Sequence, residues 1–329
     1  MTAKSLRPAL TALIFCLSLT GFGSASSAQN KEFSSWLKLL REETKAAGIS
    51  DATFDSAFQG VTPIARIIEL DRRQAEFTIT FERYLEITQP PARVARGQAL
   101  LAEHRELLAG IEARFGVPAE QIVALWGMES NFGQNMGSFP VIAALATLAY
   151  DGRRSAFFRR ELMHALRILE DGHIKPPDMR GSWAGAMGQS QFMPSSFVNN
   201  AIDYDGDGRR DIWGNTADVL ASAANYLNRA GWRRGQSWGA RVSLPVGFDG
   251  AGLGPDTIKT VAEWRQLGLT LFNGERIPDA PGEASLVQPS GAGGAAFLAY
   301  ENFRVIMKWN RAILFATSAG LLADRLAGR

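Results

Sequence analysis

Residues 118–133 read PAEQIVALWGMESNFG, an apolar helical pattern that ends in an acid. The opening proline suits the first turn of a helix, and Ile122, Leu125 and Trp126 recur at the spacing of one buried face. Glu129 falls on the same face, where a carboxyl group is poorly solvated and its pKa is expected to rise. The pattern makes Glu129 a candidate general acid, although it also fits an ordinary carboxylate that is salt-bridged or faces solvent.

The composition is that of a globular protein with a sizeable core. The chain has 329 residues, of which 46% are hydrophobic and 21% are charged, and this is enough apolar material for one large or two moderate domains. Its formal net charge of +2 supplies no general attraction to nucleic acid or to an acidic membrane. We therefore expect recognition by a defined site, and no nucleic-acid partner.

The first 28 residues have the pattern of a cleaved secretory signal. Lys4 and Arg7 precede an apolar run over 9–22, and a small polar segment follows over 23–28. The run is short and interrupted by glycine, which disfavours a membrane-spanning anchor. The sequence thus predicts a signal peptide over 1–28 and an exported, soluble protein.

The single cysteine of the chain lies inside this signal. Cys16 follows Phe15, where a lipoprotein signal would have a small residue, so lipoprotein anchoring is disfavoured. Cleavage after residue 28 would leave a mature protein that can form no disulfide and use no thiol chemistry.

Apolar periodicity predicts a mainly α-helical protein with a minor β element near residues 238–300. Residues 95–115 and 302–326 each have the pattern of one long amphipathic helix. The predicted parts of the chain are a signal peptide (1–28), an N-terminal helical segment (29–91), a catalytic core (92–235) and a C-terminal segment that completes the substrate cleft (236–329).

A glycine-rich stretch, GSWAGAMGQSQFMP over residues 181–194, carries candidate binding residues. Trp183 and Phe192 offer apolar faces suited to sugar rings, while Ser182 and Gln191 can hydrogen-bond hydroxyl or acetamido groups. The glycines would let the backbone approach a ligand. They could equally serve only to let helices pack closely.

An acidic turn, DYDGDGRRD over residues 203–211, resembles the first part of a calcium-binding loop. It has carboxylates at positions 1, 3, 5 and 9 and glycine at position 6, but position 12 is Gly214 instead of a bidentate Glu. A solvated turn neutralised by its arginines is the alternative. We predict a structural calcium ion within the loop 203–218, at Asp203, Asp205, Asp207, Arg209 and Asp218.

Three motifs in this order resemble the lytic murein transglycosylase B family. They are WGMESNFG at 126–133, GAMGQSQFMPSS at 185–196 and DYDGDG at 203–208, and they are joined by ANYL at 224–227 and by WN at 309–310. The resemblance extends from about residue 32 to about residue 320.

This resemblance implies a lysozyme-like α domain with additional helices, which cleaves the β-1,4 bond between N-acetylmuramic acid and N-acetylglucosamine in peptidoglycan. It also implies a single catalytic carboxylate, which corresponds to Glu129. Glu129 would protonate the leaving glycosidic oxygen and then act as base toward the muramoyl 6-hydroxyl, so that a 1,6-anhydro end forms. The substrate's acetamido group would replace a second carboxylate. No catalytic cofactor is implied.

The resemblance further implies which residues bind the glycan. The family's positions correspond to Ser182, Gln191, Tyr226 and Asn310, and an upstream tyrosine corresponds to Tyr84. Two departures lie near the C-terminus, where Trp309 replaces a tyrosine and Phe315 occupies another such position. Both lack the hydroxyl, so sugar stacking is expected to persist there while hydrogen bonds to the sugar are lost.

Two other functions remain open at this point. A hydrolytic muramidase would use the same acid together with a water-activating carboxylate, and a peptidoglycan-binding scaffold stabilised by calcium would use no acid at all. The leading hypothesis is a periplasmic, monomeric lytic transglycosylase that acts on glycan strands and meets proteins of cell-wall synthesis or division.

Overall fold

The computed structural model describes residues 22–73, 79–250, 253–278 and 282–329. Most of the predicted signal peptide, residues 1–21 with Cys16, lies outside the described residues. No helix within the described ranges combines the length and apolar character needed to cross a bilayer.

The first half of the described chain is predominantly helical. Its helices are α1 (Phe22–Ala46), α2 (Asp51–Phe58), α3 (Ala65–Arg72), α4 (Phe81–Thr88), α5 (Pro91–Glu103), α6 (Arg105–Phe115), α7 (Ala119–Ser130), α8 (Val141–Asp151) and α9 (Ser155–Glu170). Two short strands, β1 (Phe139–Pro140) and β2 (Arg180–Gly181), pair antiparallel across α8 and α9.

The second half combines helices with the predicted β element. It contains α10 (Pro194–Asn200), α11 (Thr216–Arg229), β3 (Gly239–Ser243), β4 (Ile258–Thr260), α12 (Val261–Gln266), β5 (Thr270–Leu271), β6 (Glu283–Val287), β7 (Ala296–Ala299), α13 (Glu301–Trp309) and α14 (Ile313–Leu326). The five strands β3 to β7 form one antiparallel sheet in the order β4-β6-β7-β3-β5, which confirms the predicted β element.

Polar residues cap several helices where the sequence predicts a start. Ser50 accepts a hydrogen bond from the Thr53 N–H at the start of α2, and the Asn215 side chain accepts from the Ala217 N–H at the start of α11. Each such cap contributes about 1 kcal/mol by satisfying a backbone donor that the helix leaves unpaired. The cap on α11 fixes the helix that carries Tyr226.

Two predicted long helices are each divided. The prediction of one helix over 95–115 is wrong, because His104 leaves the helical region (φ −98°, ψ 21°) between α5 and α6. The prediction over 302–326 is wrong because Asn310 is extended (φ −141°, ψ 120°) and its Oδ1 accepts the Ala312 N–H at 3.0 Å. An asparagine can stabilise such a turn with its own side chain, and this break separates α13 from α14.

One hydrophobic core extends from Phe33 on α1 to Leu326 on α14. Helix α7 lies at its centre and packs against α14, α5, α11 and α6. A second, smaller core surrounds Trp264 beneath the sheet. Because burying one large apolar side chain stabilises a fold by roughly 1.5–3 kcal/mol, the many contacts of α7 make it a rigid support for Glu129.

Candidate active site

Glu129 lies in the last turn of α7, and the face that precedes it is buried as predicted. Ile122 and Leu125 are fully buried, and Trp126 is 6% exposed. The Trp126 indole donates to Gln189 Oε1 at 2.8 Å, which ties α7 to the glycine-rich loop. Glu129 itself is only partly buried, so its carboxyl group stands at the edge of the core.

The chain leaves α7 through two consecutive left-handed residues, Asn131 (φ 51°) and Phe132 (φ 59°). Each such non-glycine conformation costs about 1 kcal/mol or more. The Phe132 N–H bonds to the Trp126 carbonyl oxygen at 3.2 Å, and the Phe132 ring packs edge-on against the Trp126 ring. A Cβ at Gly127 would lie 2.7 Å from the Phe132 ring, so glycine is required there. This tight turn folds the following loop back over α7.

The Glu129 carboxyl group is held by Trp309, at the end of α13. The Trp309 indole N–H donates to Glu129 Oε1 at 2.7 Å. Burial raises the pKa of Glu129 from 4.5 to about 7, and the hydrogen bond from Trp309 opposes this rise. No acidic side chain among the described residues contributes to the shift. Glu129 can therefore keep its proton near neutral pH, as a general acid must.

Three further aromatic side chains gather around this pair. The Tyr226 ring meets the Trp309 ring edge-on at 4.8 Å, and the Phe192 ring lies 5.2 Å from it. Burial and the charge of Glu129 raise the pKa of Tyr84, so Tyr84 on α4 lies within electrostatic reach of the carboxyl group. The predicted binding residues Tyr84 and Tyr226 are thus brought to Glu129 from opposite parts of the chain.

Gln191 and Ser182 lie on the glycine-rich loop beside the loop that follows α7. Gln191 is left-handed (φ 47°), and its Nε2 donates to the carbonyl oxygens of Met136 and Gly188 at 3.0 and 2.8 Å. Ser182 Oγ accepts the Ala186 N–H at 3.0 Å. Both predicted binding side chains therefore also stabilise the loops on which they lie.

The glycines of this loop allow one backbone to pack on another. A Cβ at Gly137 would lie 2.2 Å from the Gly181 carbonyl oxygen, and a Cβ at Gly181 would lie 2.1 Å from the Ala186 carbonyl oxygen. Glycine at position 181 of this loop, and at position 137 of the loop that follows α7, therefore permits close packing of loop backbones rather than of helices. This close backbone packing places Ser182 directly beside the loop that follows Glu129.

The two C-terminal residues that depart from the family pattern, Trp309 and Phe315, lie in different surroundings. Trp309 keeps a hydrogen-bonding role, because its indole donates to Glu129. Phe315 is 6% exposed and belongs to the core, so the expectation that it replaces a hydroxyl at a sugar subsite is wrong. Asn310 follows Trp309 and is exposed, with its Oδ1 committed to the Ala312 N–H.

The acidic loop brings Asp203, Asp205 and Asp218 together, so that one oxygen from each lies within 4.8 Å of the others. Asp218 is fully buried and accepts the N–H groups of Tyr204 and Asp211, both at 2.7 Å. Burial is the main cause that raises the pKa of Asp218, and the charges of Asp205 and Asp203 add to it. Converging hard oxygen donors of this kind fit Ca²⁺.

The two other predicted ligands lie outside this group. The Asp207 carboxylate accepts the Arg209 N–H at 2.8 Å and lies 3.4 Å from the Arg209 guanidinium. A guanidinium has no lone pair for a metal, so Arg209 could contribute only its backbone carbonyl oxygen. Among the described residues, the three converging aspartates are therefore the side chains that could together hold a metal ion.

Two residues of the site have roles that no sequence pattern indicates. The family resemblance marks Trp309 only as a departure from a tyrosine, and its contact with Glu129 spans 180 residues of sequence. Gln189 joins α7 to the acidic loop, because its Oε1 accepts from Trp126 and its Nε2 donates to the Trp213 carbonyl oxygen at 2.8 Å. Gln189 is only 8% exposed, so its amide serves to hold α7 and the acidic loop together.

A family model described as the transglycosylase SLT domain matches residues 32–324. The chain belongs to this transglycosylase family. The membrane-bound lytic murein transglycosylase B of Escherichia coli K12 is 31% identical to it over 247 residues, which are 74% of this chain and 67% of the relative. The prediction made from the three motifs is thereby confirmed.

Solved structures of related transglycosylases have the same fold. SltB3 of Pseudomonas aeruginosa, in complex with NAG-anhNAM-pentapeptide, matches this transglycosylase with a TM-score of 0.87 and 47% identity, over 90% of this chain and 80% of that one. Slt35 of Escherichia coli, in complex with calcium, matches with a TM-score of 0.77 and 26% identity, over 88% and 91%. The mainly α, lysozyme-like fold is confirmed, and the protein is a lytic transglycosylase.

The raised pKa of Glu129 predicts a pH-dependent stability. Because the folded carboxyl group keeps its proton up to about pH 7 while the unfolded one loses it near pH 4.5, this group's contribution to stability is complete below pH 4.5. The contribution decreases as the pH rises from 4.5 to about 7, and the total decrease in the free energy of unfolding is about 3 kcal/mol. The free energy of unfolding of Glu129→Gln, minus that of the wild type, should therefore be larger at pH 8 than at pH 4.

Denaturant unfolding of both proteins at pH 4, 6 and 8 measures this difference. Glu42, an exposed acid on α1, supplies the matched control Glu42→Gln. A difference between wild type and Glu129→Gln that stays constant over this range would contradict the prediction.

Proposed function

We propose that this transglycosylase is exported to the periplasm and cleaves the β-1,4 bond between N-acetylmuramic acid and N-acetylglucosamine, with Glu129 as the acid and then the base. The observation that carries the proposal is the carboxyl group of Glu129, partly buried at the end of α7, with a pKa of about 7 and no acidic neighbour that shifts it. A group with this pKa can donate and accept a proton at the same pH.

The proposed reaction uses one carboxyl group for two proton transfers. Glu129 donates its proton to the glycosidic oxygen as the bond from that oxygen to C1 of the muramoyl residue breaks. The muramoyl 6-hydroxyl oxygen then bonds to C1 and returns its proton to Glu129. The products are a free 4-hydroxyl and a 1,6-anhydro end, and no water is consumed. The acetamido group of the substrate would stabilise C1 between these steps, where other glycosidases use a second carboxylate.

The surroundings of Glu129 suit a sugar polymer. Tyr84, Tyr226 and Trp309 present aromatic rings near the carboxyl group, and such rings bury the apolar faces of sugars. Ser182, Gln191 and Asn310 are proposed to bind hydroxyl and acetamido groups, because each is a partly or fully exposed polar side chain on a loop around α7 or α13. The complex of SltB3 with an anhydro-muropeptide supports this substrate class.

A structural calcium ion is part of the proposal. Asp203, Asp205 and Asp218 would hold it at the start of α11, the helix that carries Tyr226, and would supply no catalytic step. The calcium complex of the related Slt35 supports the assignment. No catalytic cofactor is proposed.

Product analysis tests the proposed reaction. Purified sacculi are digested with the wild type and with Glu129→Gln, and the muropeptides are measured by mass spectrometry. We expect 1,6-anhydro ends, lighter by one water than reducing ends, from the wild type alone. Reducing ends would instead identify a hydrolytic muramidase, and equal release by both proteins would identify a binding scaffold.

A further inference from the structure

The hydrogen bond between Trp309 and Glu129 determines which carboxyl oxygen can carry the catalytic proton. An indole N–H is a donor and cannot accept. Glu129 Oε1, 2.7 Å from the Trp309 Nε1, therefore accepts this bond, and because the carbonyl oxygen of a carboxylic acid is a stronger acceptor than its hydroxyl oxygen, the bond favours the proton on Oε2. We propose that Trp309 is a positioning residue that keeps Oε1 unprotonated, so that Oε2 alone donates and later recovers the proton. The inference rests on the proposed role of Glu129.

The indole ring is fixed from several directions. The Tyr226 ring meets it edge-on at 4.8 Å, and the Phe192 ring lies 5.2 Å away on the glycine-rich loop. The Tyr226 hydroxyl donates to the carbonyl oxygen of Lys308, which precedes Trp309, at 2.7 Å. Asn310 ends the helix immediately afterwards. A side chain held in this way can orient a carboxyl group at little further entropic cost.

Other titratable groups near α7 do not duplicate this contact. Tyr84 on α4 feels the charge of Glu129 but, as a phenol, is neutral near pH 7. Arg93 on α5 donates to Asn131 Oδ1 and to the Thr88 carbonyl oxygen. Tyr226 on α11 donates to a backbone carbonyl. The indole N–H is thus the donor that the structure places on the Glu129 carboxyl group.

Titratable groups on α6 and α14 lie at the other end of α7. The Glu112 carboxylate of α6 accepts the Ala119 N–H, and Asp324 of α14 lies in a cavity together with Pro118. Asp324 is bound by the indole N–H of Trp238 at 2.9 Å. The molecule therefore contains a second indole-carboxylate pair away from Glu129, and this pair offers a matched control.

The hydrogen bond should also matter between the two proton transfers. After Glu129 has protonated the leaving oxygen, its carboxylate is negative, and a donor bonds more strongly to an anion than to a neutral acid. Trp309 would thus stabilise the intermediate state while leaving Oε2 free to take the proton from the 6-hydroxyl. Loss of the donor should slow the reaction and raise the pKa of Glu129, since the bond favours the charged form.

Trp309→Phe tests the inference because it keeps a large ring and removes the donor. We expect kcat on sacculi to fall roughly 10- to 100-fold, the effect of losing one hydrogen bond to a charged group. We also expect the alkaline limb of kcat/KM to move to higher pH, because the protonated acid is the active form. Titration of the Glu129 carboxyl carbon by ¹³C NMR, assigned by comparison with Glu129→Gln, should show the same upward shift without any substrate.

Two further proteins separate this role from a purely structural one. Trp238→Phe removes the other indole-carboxylate bond, and its pH profile should match that of the wild type even if its stability falls. Replacement of Trp309 by 3-benzothienylalanine keeps the shape of the indole and exchanges its N–H for sulfur, so it should reproduce the effect of Trp309→Phe even if the phenylalanine variant folds poorly.

The inference is overturned if Trp309→Phe loses activity while the alkaline limb of kcat/KM and the ¹³C titration of Glu129 both stay where they are in the wild type. It is also overturned if neither the activity nor the alkaline limb changes. The proposed function fails separately. It is contradicted when the wild type forms no 1,6-anhydro ends or when Glu129→Gln remains active, and the ¹³C titration still reports on Trp309 in either case.

Discussion

Glu129→Gln should reduce muropeptide release from sacculi by at least about 10³-fold. General acid–base catalysis contributes roughly 10² to 10⁴ in rate, and in the proposed reaction one group performs both proton transfers, so a value in the upper part of that range is expected. The amide has nearly the shape of the acid and can still accept the hydrogen bond from Trp309. The loss should therefore appear in kcat, while the fraction of protein bound to sacculi stays close to that of the wild type.

A release assay with separated soluble muropeptides measures this effect. Glu42→Gln, which changes an exposed acid on α1, should keep full activity. Thermal unfolding shows whether the Glu129 variant is folded. Release within about tenfold of the wild type would show that Glu129 is not the acid, given the range stated for this type of catalysis.

Removal of calcium should lower the melting temperature by several degrees. A ligand at 100 times its dissociation constant stabilises a folded protein by about 2.7 kcal/mol, and an unfolding entropy of about 2.1 cal/mol/K per residue gives a chain of this size a shift of roughly 1.5 °C per kcal/mol. The converging carboxylates of Asp203, Asp205 and Asp218 repel one another, and a divalent cation would relieve that repulsion. Scanning calorimetry in Ca²⁺, in Mg²⁺ and in a chelator should show the highest melting temperature in Ca²⁺.

Two variants of the same loop sharpen this test. Asp205→Asn alters an exposed member of the converging group and should abolish the response to Ca²⁺. Asp211→Asn alters an acid outside the group, whose Oδ1 accepts the N–H groups of Trp213 and Gly214. An asparagine can keep those bonds, so this variant should still respond. A melting temperature that chelation leaves unchanged in the wild type would remove the calcium site from the proposal.

Local patterns account for what the sequence predicts correctly. Ile122, Leu125 and Trp126 are buried because side chains three and four residues apart share one face of a helix, and Glu129 continues that face. Asp218, in the first turn of α11, could be anticipated as a partner of Asp203 because a short stretch of chain joins the two. In each case the physical constraint acts over fewer than about 20 residues, a distance that periodicity and turn chemistry can describe.

The errors and omissions have a different origin. At Asn310 a single side-chain bond to the Ala312 N–H ends a helix whose apolar pattern continues beyond it. Asp207 lies outside the group of converging acids, and its carboxylate instead accepts the Arg209 N–H, a detail of one turn that the spacing of the acids does not encode. The contact of Trp309 with Glu129 is a tertiary contact across 180 residues, and no local pattern encodes its partner.

That long-range contact makes the acidity of Glu129 depend on helices that lie far from it in sequence. Trp309 ends α13, and α14 packs extensively against α7. Burial is the main cause of the raised pKa of Glu129, so any loosening of these helices that admits water would favour the ionised carboxylate at neutral pH. An intact contact of α7 with α13 and α14 is thus a condition for Glu129 to keep a proton at neutral pH.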